Sequence, residues 1–178
     1  LQFLSYDSTA TASSITSAVN AYAAKSWNHV ALVRRKTFAI GVNQFTITLY
    51  VNGASVGTVV NNSYLGLDTV AAAATVARGG NIGRQTSDGL LPFTGYISDL
   101  RIIKQALYTN NFAPPTSQLQ FTPQISPTPS YGILQLNGVN QYLGVPAATN
   151  SAMDLATGSP NWTIECWVYL NDLSAVYV

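Results

Sequence analysis

The string "WTIECWVYL", residues 162–170, holds the side chains best suited to chemistry. Side chains alternate across a strand, so Thr163, Glu165, Trp167 and Tyr169 share one face, and Ile164, Cys166 and Val168 share the other. A carboxylate beside two broad aromatic rings can recognise a ligand that is rich in hydroxyls yet partly apolar. The rings cover its C–H surfaces and the acid accepts its hydroxyl hydrogen bonds. The same residues also have a plainer use, since large aromatics serve packing first. Trp167 can lie under a loop, and Glu165 can pair with an arginine.

Catalytic arrangements are poorly supplied. Glu165 is the single glutamate, and the six aspartates, Asp7, Asp68, Asp88, Asp99, Asp154 and Asp172, are scattered along the chain. Glycoside hydrolysis needs two carboxyl groups flanking the scissile bond. His29, the sole histidine, lies in an alternating strand. It reads as a core or half-core histidine bonded to a carboxylate or carbonyl, because a catalytic base needs a nucleophile in view. No serine stands in a G-x-S-x-G elbow, and Gly79, Gly80 and Gly83 do not open a helix as a phosphate loop would. The chain therefore reads as non-enzymic. Asp99 reads as structural, a strand carboxylate that holds Arg101 or a neighbouring turn.

The elements that must carry these residues are strands. "WNHVALVRR" puts Trp27, His29, Ala31 and Val33 on one face, with Asn28, Val30, Leu32 and Arg34 on the other. Both faces are partly apolar, as in a sheet covered on both sides. "QFTITLYVNG" sends Phe45, Ile47, Leu49 and Val51 to an apolar face, and Asn52-Gly53 is a strong hairpin signal leading into "ASVGTVV". Leu1 to Tyr6 reads as a strand, and "SITSAVNAYAAKS" as extended chain and loop. "TGYISDLRIIKQAL" reads as a strand that ends in a brief helical turn. Residues 112–130 hold most of the prolines, which cannot donate to a ladder, so this stretch is linker or edge chain. Strands resume in "YGILQLNGVNQYLGVPA" and "NWTIECWVYL". Many short strands, frequent Gly and Asn turns and no convincing helix give an all-β fold, a sandwich of two antiparallel sheets.

Composition excludes several roles. Charged residues are 8% of the 178, and the net charge is +1. An electrostatic nucleic-acid binder needs clustered Lys and Arg. The one basic cluster, Arg34-Arg35-Lys36, reads as a solvated loop at a strand end. The lone Cys166 excludes an internal disulfide or a zinc-binding Cys pair, and reads as a buried structural thiol. No apolar run is long enough for membrane insertion, and no signal peptide is visible. The Leu1 start reads as that of a fragment or processed product.

The strings "SWNHVALVR", "FTITLYVNGASVGT" and "IGRQTSDGLLPFTGYISDLRIIKQALYTNNFAPPTSQL" resemble the second two-thirds of a laminin G-like domain of the concanavalin A-like lectin/glucanase superfamily. "LQLNGVNQYLGVPA" with "NWTIECWVYL" resembles the first third. The resemblance implies a jelly-roll sandwich with its pieces in rotated order. Residues 1–109 are the second two-thirds, 110–130 a Pro-rich linker, and 131–178 the first third, either as a cut from a tandem array or as a permutant that closes on itself. "DLRIIKQALYTNNFAPPTS" is similar to versions in bacteriophage tail, fibre and virion surface proteins. This implies a non-catalytic module on a virion surface that adheres to a cell-surface glycan, or an architectural module that pairs with itself or with other virion proteins.

Two sites follow from the resemblance. Some relatives hold saccharides on the concave face, where Glu165, Trp167 and Tyr169 would lie if Ile164, Cys166 and Val168 face the core. Others bind at the rim, which here offers loops at 61–68, 84–89 and 171–172, with Arg84 and Asp88 as candidate ligand contacts. Calcium is a further implied partner. It takes about 6–8 oxygen ligands, and Asp68 and Asp88 are the candidates. The glucanase arrangement, two glutamates and an aspartate at near-alternate positions of one strand, is missing around Glu165.

Overall fold

A computed structural model describes residues 2–6, 12–18, 21–39, 42–61, 81–82, 93–116, 133–139, 141–144 and 161–171. They form ten strands: β1 (Gln2–Tyr6), β2 (Ala12–Thr16), β3 (Trp27–Ala39), β4 (Val42–Val51), β5 (Ala54–Asn61), β6 (Asn81–Ile82), β7 (Thr94–Ile103), β8 (Ile133–Asn137), β9 (Leu143–Gly144) and β10 (Trp162–Leu170). No helix occurs among the described residues, so the helical turn expected after β7 is absent. Residues 106–116 run instead as irregular chain.

The main layer is a six-stranded antiparallel sheet in the order β5-β4-β3-β10-β7-β8, and the β1–β2 and β6–β9 pairs stand apart from it. The architecture is a two-sheet antiparallel β-sandwich of the concanavalin A-like kind. β10, from the end of the chain, lies between β3 and β7, and β8 adds to β7. The two segments read in rotated order thus share one sheet. Leu1 and Val178 lie outside the described residues.

The inner face of this sheet is the core. Val30 and Leu32 of β3, Ile47, Leu49 and Val51 of β4, and Trp162, Cys166, Val168 and Leu170 of β10 cluster there with Ile15, Phe93 and Ile97. Each fully buried large aliphatic side chain contributes about 1.5–3 kcal/mol. Gly57 lets β2 press on β5, since a Cβ there would meet Ile15 Cγ2 at 2.3 Å. Cys166 is a buried free thiol, and burial, helped by the nearby Glu165 charge, pushes it up to about 12. It is a packing group.

The basic cluster needs correcting. β3 runs on to Ala39, so Arg34-Arg35-Lys36 is strand, not a solvated loop. Alternation turns Arg34 into the core, fully buried, with its guanidinium 3.8 Å above the Phe45 ring centroid. Arg35 goes to the outer face, where it is exposed.

Candidate ligand-binding face

The register sets the outer face in rows. Trp27 of β3 pairs with Tyr169 of β10, and Tyr169 with Tyr96 of β7. The next row is His29, Trp167, Ser98 and Ile133, and the one after is Tyr50, Ala31, Glu165 and Arg101. Directly paired residues in antiparallel strands share a face, so these rows form one continuous surface.

A strap, residues 104–116, crosses the middle of that surface. Thr163 pins its start: Oγ1 accepts from Leu107 N at 3.0 Å and donates to the Gln105 carbonyl at 2.7 Å. Phe112 pins the middle, its N–H donating to the Gly53 carbonyl at 2.9 Å. Gly53 closes the β4–β5 hairpin with Asn52, at φ values of 78° and 49°. Only glycine fits this position, because a Cβ would stand 1.8 Å from the Phe112 carbonyl oxygen. Tyr108 and Phe112 stack, centroids 3.6 Å apart, and with Ala106 cover Ala31, Val33 and Tyr50.

Beneath the strap lies a charged network. The Glu165 side chain has 0% exposure. Its Oε1 accepts from Arg101 Nε at 2.6 Å and from Arg101 Nη2, while Oε2 accepts from Tyr108 Oη at 2.8 Å and from His29 Nε2 at 3.1 Å. The His29 contact places its proton on Nε2. Burial alone would push the Glu165 carboxyl up. The hydrogen bonds from His29, Arg101 and Tyr108 and the Arg101 charge outweigh it and hold the carboxyl below its ordinary value. Tyr108 moves the other way, pushed up to about 12 by burial and by donating to Glu165.

Beside the strap the same face is open. A hollow of about 370 Å³ is lined by Trp27, Trp167, Ser98, Asp99 and Ile133, with Pro115 and Thr116 of the strap. Trp27 is 41% exposed. Its ring meets Tyr169 edge-on at 5.7 Å, and Trp167 meets His29 at 5.2 Å. Asp99 arrives on a β-bulge: the register between β7 and β10 shifts by one residue there, and Asp99 has φ of 52°.

Of the residues singled out from sequence, Glu165, Trp167 and Tyr169 share the outer face, and the core lies on the side of Cys166 and Val168. Trp167 borders the hollow, Tyr169 backs Trp27, and Glu165 is sealed and paired with Arg101. Arg101 is held by Glu165 through Nε and Nη2. Arg84, Asp88 and Asp68 lie outside the described residues. Among those described, no group of three or more His, Cys, Asp or Glu stands together as a metal site. Trp27, Ser98, Asp99 and Thr116, which line this hollow, were not singled out as ligand contacts from the sequence. Trp27 was readable as a face-mate of His29. Pairing β3 with β10 was the step that brings it to Trp167.

Residues 1–111 match the family Laminin_G_3, described as the concanavalin A-like lectin/glucanases superfamily. Comparison with curated proteins and with solved structures finds no match.

Proposed function

Because the chain belongs to the Laminin_G_3 family of the concanavalin A-like lectin/glucanases superfamily, we propose that it is a non-catalytic carbohydrate-binding module whose sugar lies in the hollow between Trp27 and Trp167. One observation carries this reading: two tryptophans, an acid and two hydroxyl residues, Ser98 and Thr116, border a single open hollow. Indole faces cover the C–H side of a pyranose, and Asp99 accepts from its hydroxyls. Asp99 also keeps a backbone conformation that glycine adopts more easily, as side chains held for function often do.

The non-catalytic part is supported by Glu165. A glycosidic acid works with a raised pKa and an open path to the bond. Glu165 is held low and lies under Tyr108. The setting on a virion surface or tail fibre rests on the likeness of "DLRIIKQALYTNNFAPPTS" to phage proteins, and the partner there is a cell-surface glycan. Repeated weak sites would gain strength through effective concentration.

A glycan array on the multimerised protein, run in calcium and in EDTA, tests this. The expected result is binding that persists in EDTA and is lost in Trp167→Ala. Loss in EDTA would move the site to a calcium-dependent rim around Asp68 and Asp88. One observation favours a second reading, an architectural module. Among the described residues, strand β8 pairs on one side only and exposes Ile133 and Leu134, an edge that can take another strand. Silence on the array from folded protein would favour it.

A further inference from the structure

A second hollow, of about 640 Å³, lies on the outer face of β4 and β5, walled by the 109–111 turn of the strap. Its chemistry differs from that of the first. The floor carries the hydroxyls of Thr46, Thr48 and Thr58, and the wall carries Asn110 and Asn111. Thr48 and Thr58 face each other across the strands with hydroxyls 3.2 Å apart. Asn111 is fixed by accepting from Ser55 N at 2.9 Å, which leaves its amide N–H groups as donors.

Arg35 is the one charged residue of this basin. Its neighbour Arg34 faces the core, so alternation presents Arg35 alone on the outer face, opposite Thr46. Among the described residues no carboxylate pairs with it. Glu165 is held by Arg101, and Asp99 borders the other hollow. A single fork of guanidinium donors above a floor of hydroxyls and amides matches one anionic group on a polyhydroxylated ring. It does not match the repeated phosphates of a nucleic acid, which call for clustered cations.

We infer that this basin is a second subsite, for an anionic saccharide whose carboxylate or sulfate pairs with Arg35 while its ring hydroxyls bond to the threonines and asparagines. The inference rests on the reading of the chain as a sugar binder, but not on the tryptophan hollow.

Proton–nitrogen NMR on the whole chain tests it with three probes: a hyaluronan octasaccharide, a sulfated carrageenan oligosaccharide and a neutral chitin hexasaccharide. An acidic probe should shift the amides of 46–58 and 109–111 and the Arg35 side chain, and the neutral one should not. The responding acid identifies the anion. Binding should weaken as salt is raised. Arg35→Gln should cost about tenfold in affinity, with Arg35→Lys recovering part of it. Acidic sugar bound as tightly by Arg35→Gln as by the wild type overturns the inference. So does an acidic sugar that moves only the indole signals of Trp27 and Trp167, which leaves the first hollow standing. No shift with any probe overturns both.

Discussion

Glu165 and Trp167 stand two residues apart on one face of β10, yet their surroundings are opposite. Glu165 is closed under the strap and saturated by Arg101, His29 and Tyr108. Trp167 borders an open hollow with Trp27 and Asp99. The strand treats them alike, and the difference comes from residues 104–116, which seal the Glu165 row and leave the Trp167 end of the next row partly open. The face of a side chain is a local property of its strand, whereas its cover is set by a segment distant in the sequence.

Removing Glu165 should have the largest effect. Glu165→Ala leaves Arg101, itself 16% exposed, and buried His29 without their carboxylate. The expected cost is about 3–5 kcal/mol in urea unfolding. A loss below about 1 kcal/mol, the level of a surface pair, would mean that the carboxylate is solvated and the two regions are not so different.

The pH dependence sharpens the same contrast from both sides. The folded Glu165 carboxyl lies below its ordinary value of 4.5, so its stabilisation is full above that value and lost as pH falls through the folded pKa. Tyr108 is raised from 10.0 to about 12, so its stabilisation is full below pH 10.0 and lost as pH rises towards about 12. Unfolding followed across both ranges should show an acid and an alkaline limb, and Tyr108→Phe should reduce the alkaline one, leaving the share of the buried Cys166 thiol and of Tyr50. An alkaline limb unchanged in that variant would place the phenol outside the network.

On the open side the expected effect is small and of opposite sign. Asp99→Gly relieves a φ of 52° and should stabilise the fold by a few tenths to about 1 kcal/mol while weakening sugar binding in the hollow. A loss of stability would mean that the carboxylate itself holds the bulge.

Much of the sheet was legible in the sequence. The alternation of Phe45, Ile47, Leu49 and Val51 and the Asn52-Gly53 turn gave β4, the hairpin and β5 as they stand, because period and turn chemistry are local. The pairing of Glu165 with an arginine was readable as an alternative, but its partner was not, since Arg101 meets it only through the β7–β10 register. The run to Ala39 hid a buried arginine, because three basic residues in a row outweigh the strand pattern when polarity alone is read. The strap left no periodic signal at all. It is held by Thr163 of β10, by Gly53 of the β4–β5 hairpin and by ring stacking within itself, contacts that appear only in the assembled sheet.

The most direct measurement uses the three tryptophans as internal reporters. Trp27 and Trp167 border the hollow, while Trp162 is 2% exposed in the core. Their indole N–H signals can be followed by NMR during titration with the best array ligand. The expected result is saturable movement of the Trp27 and Trp167 signals together, with that of Trp162 still. Saturable sugar binding that leaves both surface indoles unmoved would contradict the assignment of the hollow as the sugar site.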